Sequence, residues 1–195
     1  MKVKVIIILL SFLTGILVGI SLWNITPHPS HSITITFTKT IYQNATYANE
    51  SIFSYEAYFS PNGKCEEKLI YWINKANQSI HIMIYSFTLD SIGDALINAY
   101  NKGVEVKIVM EKEQLTGYSE YYKLKKAGIE VKLDSNPALM HNKVAIIDGK
   151  IVITGSYNWS QNAETKNNEN LLIIKSKGLA EVYELEFQKI WRQST

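Results

Sequence analysis

Met140-His141-Asn142-Lys143-Val144-Ala145-Ile146-Ile147-Asp148-Gly149-Lys150-Ile151-Val152-Ile153-Thr154-Gly155-Ser156-Tyr157-Asn158 decides how this chain folds. Two apolar, β-branched runs, 144–147 and 151–153, flank Asp148-Gly149, a dipeptide that readily supplies the positive-φ positions of a two-residue hairpin turn. Such a hairpin is antiparallel, so its open ends, 140–143 and 155–158, return to the same place. Side chains alternate along a strand, which puts His141 and Lys143 on one face and Asn142 on the other.

Upstream of the hairpin, strand-like and helix-like segments alternate. A folded unit starts near Phe53, with a strand over 55–59 ended by Ser60-Pro61-Asn62-Gly63 and a helix over 66–76 whose stripe is Leu69, Ile70, Trp72, Ile73 and Ala76. A β-rich run over 80–87 leads to a helix over 91–102 with Gly103 just past its end. The unit then repeats, with strand 104–110, helix 118–127 closed by Gly128, and strand 129–133. After the hairpin come one more strand, 171–174, and a closing amphipathic helix, 179–191. The expected fold is α/β, a mixed but mostly parallel sheet with helices on both faces.

The N-terminal region has a different character. Residues 5–23 are apolar apart from Ser11, Thr14 and Ser21, and Lys2 and Lys4 precede them. At about 1.5 Å per residue the run spans roughly 28 Å, close to a hydrocarbon core about 30 Å thick, so it reads as one transmembrane helix. A cleaved signal peptide is the rival reading; its apolar core is usually shorter, about 7–15 residues. With residues 1–4 as the cytoplasmic tip, the rest of the chain faces outward, single-pass and extracytoplasmic, or is secreted if the segment is cleaved. Residues 24–52, rich in Thr, Ser and Asn, form a polar spacer that reaches on the order of 90 Å if fully extended. The period-two pattern of Ile33, Ile35 and Phe37 also fits an added strand. Asn24, Asn44, Asn49, Asn77 and Asn158 begin N-x-S/T triplets, which matter on an extracytoplasmic domain.

Length and charge limit the possibilities. The 195 residues leave room for one ordinary domain, 53–195, plus these appendages. A net charge of +2 gives no broad basic footprint. Cys65 is the sole cysteine, which excludes an intrachain disulfide and argues against a cysteine-based zinc cluster. Tyr118, Tyr121 and Tyr122 with Lys123, Lys125 and Lys126 read as a helix with one packed and one solvated face, or as a stacking surface for a single nucleic-acid strand. Tyr157 and Trp159 flank Asn158 and either line an entrance or pack.

The converging hairpin ends carry chemistry. An imidazole nitrogen of His141 can attack phosphorus, Lys143, Ser156 and Asn158 can hold oxygens as charge develops, and Gly155 admits close backbone. Asp148 lies more than about 20 Å of strand from His141 and so cannot orient its ring; fixing the turn suits it better. Glu169, in Asn167-Asn168-Glu169-Asn170, is the carboxylate available to set the histidine tautomer. No carboxylate cluster suits Mg²⁺, so neither a metal nor a cofactor is expected. Of the other histidines, His28 and His31 fall in the spacer, and His81 reads as a satisfied structural residue.

His141-x-Lys143, Asp148, Gly155-Ser156 and Asn158 at this spacing resemble the signature of the phospholipase D superfamily. The likeness extends over Phe59-Ser60-Pro61, Tyr85-Ser86-Phe87-Thr88, residues 92–109 and Asn168-Glu169-Asn170. It is nearest to the small single-motif branch, which includes bacterial endonucleases and a mitochondrial-surface member. The resemblance implies a metal-independent phosphodiesterase and a homodimer sharing one active site. His141 would be the nucleophile, or the general acid in the second copy; Lys143, Ser156 and Asn158 would bind substrate phosphate; Glu169 would orient the histidine; Asp148 and Gly155 would be structural. The expected substrate is DNA or RNA, cut as by an endonuclease. The alternatives are phospholipid head groups, or phosphate binding without catalysis in a tethering module.

Overall fold

A computed structural model describes residues 54–195. The predicted transmembrane segment 5–23, spacer 24–52, added strand near Ile33–Phe37, His28, His31 and the triplets at Asn24, Asn44 and Asn49 lie outside the described residues. Among the described residues no helix is long and apolar enough to cross a membrane.

In chain order the elements are β1 Ser54–Ser60, α1 Cys65–Lys75, β2 Ser79–Ile84, α2 Asp90–Asn101, β3 Glu105–Met110, α3 Tyr121–Lys126, β4 Glu130–Leu133, β5 Lys143–Ile147, β6 Ile151–Gly155, α4 Gln161–Thr165, β7 Glu169–Lys175 and α5 Lys177–Gln193. The seven strands form one sheet in the order β1-β7-β6-β5-β2-β3-β4. Only β2–β3 and β3–β4 are parallel; β1–β7, β7–β6, β6–β5 and β5–β2 are antiparallel. The sheet is mixed, as expected, but it is not mostly parallel. The strand–helix alternation applies to β2-α2-β3-α3-β4, where each helix carries the chain back to start a parallel strand. Past β4 the long loop 134–142 returns the chain on the other side of β2, and from there every pairing is antiparallel.

Alternation along the strands divides the core. Ile82, Ile84, Ile108, Ala145, Ile153 and Leu171 face the layer that holds Leu69 and Ile73 of α1 and Ile92 and Leu96 of α2. Met83, Val109, Val144, Ile146 and Val152 face Ala180, Phe187 and Ile190 of α5. Burial on both faces is why β5 is apolar after Lys143; its five residues are all buried. The Ser176 hydroxyl caps α5 by accepting from the Leu179 N–H at 3.2 Å. α3 is shorter than its pattern suggests and starts at Tyr121, because Thr116–Ser119 closes a turn first, with the Ser119 N–H donating to the Thr116 carbonyl at 3.0 Å.

The hairpin turn has φ of 53° at Asp148 and 59° at Gly149, and the Lys150 N–H donates to the Ile147 carbonyl at 3.0 Å. The Asp148 carboxylate also accepts the backbone N–H groups of Asn77, Gln78 and Ser79 at 2.8–3.1 Å. It therefore clasps the α1–β2 loop to the turn, at the end of the hairpin away from His141.

Candidate active site

The C-terminal ends of β1, β2, β3 and β6 and the N-terminal ends of β5 and β7 share one edge of the sheet, where His141, Lys143, Gly155, Ser156, Asn158 and Glu169 gather; Asp148 lies at the opposite end. Val144 pairs with Thr154 in the β5–β6 register, so Lys143 lies one step from Gly155. β7 continues the row, with Gly155 opposite Leu171. Gly155 has φ +148°, and a Cβ built there would sit 2.1 Å from the Asn170 carbonyl oxygen, so only glycine lets β7 come this close. The Ser156 and Tyr157 N–H groups both donate to that carbonyl at 3.2 Å.

His141 is exposed, and its ring contacts Tyr85 with centroids 4.4 Å apart and planes tilted by 60°. Lys143 is buried at 7% exposure; its Nζ donates to the His141 carbonyl at 2.8 Å and lies 4.6 Å from the Tyr85 ring centroid. Burial pulls the Lys143 ammonium down to about 8, against a smaller upward pull from the negative charge of Glu169. The site cation thus sits close to its titration range near neutral pH.

The Ser156 hydroxyl donates to Glu169 Oε2 at 2.5 Å and accepts from the N–H and side-chain amide of Asn170 at 3.1 and 3.2 Å. Asn167 Nδ2 donates to the other Glu169 oxygen at 3.0 Å. The hydrogen bond expected between Glu169 and the His141 ring is not formed here. β6 separates β5 from β7, and at about 4.8 Å per strand spacing the two residues stand roughly 10 Å apart laterally, with Ser156 in between. Asn158 Oδ1 is buried without a hydrogen-bond partner, an acceptor that must be offset by a good donor or a bound molecule. Tyr157 and Trp159 are both buried and so pack rather than line an entrance. The Tyr157 hydroxyl donates to Glu164 at 2.6 Å, and the Trp159 ring meets Phe87 edge-on at 5.0 Å.

Two contributors were not singled out in the sequence. Glu111, 1% exposed, follows β3 and accepts the Met140 N–H at 2.6 Å and the Glu113 N–H at 3.0 Å, which fixes the backbone just ahead of His141. Tyr85 follows β2, and its hydroxyl accepts from Gln114 Nε2 at 3.0 Å. An acidic residue directly after a buried strand was the available signal for Glu111; Tyr85 lies in Tyr85-Ser86-Phe87-Thr88, which the family resemblance had covered.

His81 belongs elsewhere. Its Nδ1 lies 2.8 Å from Glu184 and its Nε2 2.9 Å from Glu105, and its ring stacks on Phe187 at 4.6 Å. Cys65 is fully buried, and burial pushes its thiol up to about 11, helped by the charges of Glu164 and Glu169. Lys123 is held by Asp90, Asp94 and Glu120 at 2.8–3.2 Å, while Tyr118 and Tyr122 remain exposed. Among the described residues no group of three or more His, Cys, Asp or Glu side chains is placed to hold a metal ion.

Comparison with known proteins agrees with this geometry. The family described as "Cardiolipin synthase, PLD-like domain" matches residues 69–191. A phospholipase D of Rickettsia prowazekii is 40% identical over 126 residues, 64% of this chain and 62% of that protein. A mitochondrial cardiolipin hydrolase of Chlamydomonas reinhardtii is 36% identical over 62% of this chain and 54% of its own length. The chain thus spans less than two thirds of the length of these curated relatives. The crystal structure of Nuc, a phospholipase D family member from Salmonella typhimurium, superposes with a TM-score of 0.70 at 36% identity, covering 74% of this chain and 97% of Nuc. With the family matched over residues 69–191 and His141, Lys143, Gly155, Ser156 and Asn158 of the signature gathered at one sheet edge, the chain belongs to the phospholipase D superfamily.

Proposed function

We propose that the domain hydrolyses phosphodiester bonds through a covalent phosphohistidine on His141, acting on DNA or RNA as an endonuclease. The observation that carries this reading is the convergence of exposed His141, buried Lys143, Ser156 and Asn158 on one edge of the sheet, where the Asn158 side-chain N–H is the group able to donate to phosphate. In the first step a His141 nitrogen attacks phosphorus, a P–N bond forms, and the P–O bond to the leaving alcohol breaks as that oxygen takes a proton. In the second step water attacks the phosphohistidine, loses a proton to the same acid–base group, and frees His141. Lys143 and Asn158 hold the oxygens that gain charge. The support for Glu169 is as the counter-charge that helps Lys143 keep its proton and as the acceptor that holds Ser156.

The proton donor calls for a second histidine, and His81, the other histidine among the described residues, is tied up between Glu105 and Glu184. A second copy of the chain supplies one by symmetry. Its seat is the face of β1 and β7 that no helix among the described residues covers. Phe59 pairs with Asn170 and Ala57 with Leu172 on that face, Phe59 is 64% exposed, and the strip ends at Ser60 opposite Glu169, beside the site. Residues 5–23 would tether such a dimer to a membrane.

The near-complete overlap with Nuc favours the endonuclease reading, since the single-motif branch this chain resembles includes bacterial endonucleases. One observation favours phospholipid head groups instead. Leu139 and Tyr118 are exposed side chains with large apolar surface on loops of the same edge, and such tips suit a lipid surface.

Incubation with labelled single-stranded DNA, RNA and phosphatidylcholine vesicles in EDTA, with His141→Ala alongside, tests both readings. Nucleic-acid cleavage lost in the variant, with a trapped phosphohistidine, supports the endonuclease; vesicle cleavage alone moves the substrate to lipid. Activity abolished by EDTA sinks the mechanism, and a folded dimer that cuts nothing leaves a binding module.

A further inference from the structure

We propose that Tyr85 is a positioning residue shared by the nucleophile and the phosphate-binding cation: its ring orients the His141 imidazole and, through its π face, holds the Lys143 ammonium in place and charged. The proposal rests on the roles given above to His141 and Lys143.

Tyr85 stands where both can be reached. Its N–H donates to the Asn142 carbonyl at 2.8 Å, which ties the end of β2 to the residue lying between His141 and Lys143. Its ring centroid is 4.4 Å from that of His141 and 4.6 Å from Lys143 Nζ. Its hydroxyl is fixed from the far side by Gln114 Nε2 at 3.0 Å. Gln114 ends a short helical turn, Lys112–Gln114, whose start is capped by the Glu111 carboxylate that also holds the Met140 N–H. The loop after β2 thus meets both functional side chains through an aromatic ring, while the loop after β3 holds the backbone just ahead of His141 through a carboxylate.

The ring matters because Lys143 is poorly supported otherwise. The groups set against its ammonium are the His141 carbonyl from the segment just ahead of β5, the charge of Glu169 from β7, and the Tyr85 ring from the end of β2. Burial holds the ammonium down to about 8, and Glu169 restores only part of the loss. An aromatic face within about 6 Å attracts a cation, most strongly where water is excluded. A tyrosine that merely filled space here would leave the titration of Lys143 untouched when replaced by another apolar side chain.

The test uses the full-length protein with Tyr85→Phe, which keeps the ring, and Tyr85→Leu, which removes it; Tyr85→Met serves if the leucine variant does not fold. Lysine side-chain NMR follows the Lys143 titration without turnover. Loss of the ring lowers its midpoint by roughly 0.4–1.5 pH units, the span that a cation–ring contact is worth, and the phenylalanine variant matches the wild type. In parallel, the alkaline limb of kcat/KM for bis(p-nitrophenyl) phosphate moves down with that midpoint, and activity at pH about 7.5 falls by about 1.4–8-fold in the ring-less variant, as the charged fraction of Lys143 falls. An unmoved midpoint, a phenylalanine variant shifted as far as the leucine one, or an alkaline limb that stays in place overturns the proposal. If the wild type cleaves no diester, the phosphodiesterase reading fails, while the titration still decides whether Tyr85 supports Lys143.

Discussion

The two histidines among the described residues, one on β2 and one just ahead of its antiparallel neighbour β5, stand in opposite conditions. His81, near the start of β2, has both ring nitrogens on carboxylates and a stacked phenylalanine. His141, just ahead of β5, is exposed, with an aromatic ring beside it and no hydrogen bond on its imidazole. A polar side chain whose every valence is met by the protein has nothing left to offer a substrate. One held by its backbone and by a neighbouring ring, with free nitrogens, does. The same contrast separates the ends of the β5–β6 hairpin: Asp148 at the turn is saturated by backbone donors, whereas Asn158 at the mouth leaves a buried oxygen unpartnered.

The largest expected effect comes from exchanging the fates of the histidines. His141→Ala lowers diester cleavage by about 10³-fold or more with little change in melting temperature, while His81→Ala retains the rate per folded molecule and loses stability. Rate assays beside thermal melts of both variants check this, and a His81 variant that is folded but dead would break the contrast. Next comes Glu111→Gln, which sets an amide where two N–H donors need an acceptor. It costs about 1–3 kcal/mol of stability and about tenfold in rate, because the backbone ahead of His141 loosens. Denaturant melts and kcat measure the two parts, and a full rate with lost stability would confine Glu111 to the core.

Asp148→Ala removes the acceptor for three backbone N–H groups and lowers stability by about 1–3 kcal/mol, with the rate per folded molecule unchanged. A rate loss to match the His141 variant would place Asp148 in the chemistry after all. The smallest effect is in pH dependence. Burial opposes the charging of His81, but its bonds to Glu184 and Glu105 outweigh burial and raise its pKa above the usual 6.5. The sign follows from linkage: the stabilisation is full below about 6.5 and is lost as pH rises through the raised folded value. Stability of the wild type therefore falls more steeply than that of His81→Gln between neutral and mildly alkaline pH, as urea midpoints at several pH values measure.

Much of this was legible in the sequence because it rests on local rules. The Asp148-Gly149 turn, the apolar β-branched runs that become β5 and β6 and the helical stripe of α1 each follow from neighbours in the chain, and the positions at the hairpin's open end follow from the turn that brings them together. Strand order is not local. Nothing in residues 134–142 says that the chain will return to the far side of β2 instead of extending the parallel run, so the proportion of parallel pairs was misjudged. The Glu169–His141 hydrogen bond was inferred without knowing that β6 and Ser156 intervene. Glu111 was passed over because a carboxylate after a strand looks like solvated surface until the loop that needs it is seen.

The register between β1 and β7 has a mechanical consequence. The first residue of β1, Ser54, pairs with Lys175, and the last, Ser60, pairs with Glu169 at the site edge. A pull transmitted from the upstream chain loads the Ser54–Lys175 rung first and reaches the Ser60–Glu169 rung only after the others have yielded. The strand acts as a strain relief: tension from upstream is spent at the end of the sheet remote from His141, and the edge that holds His141 is the last part of that seam to feel it.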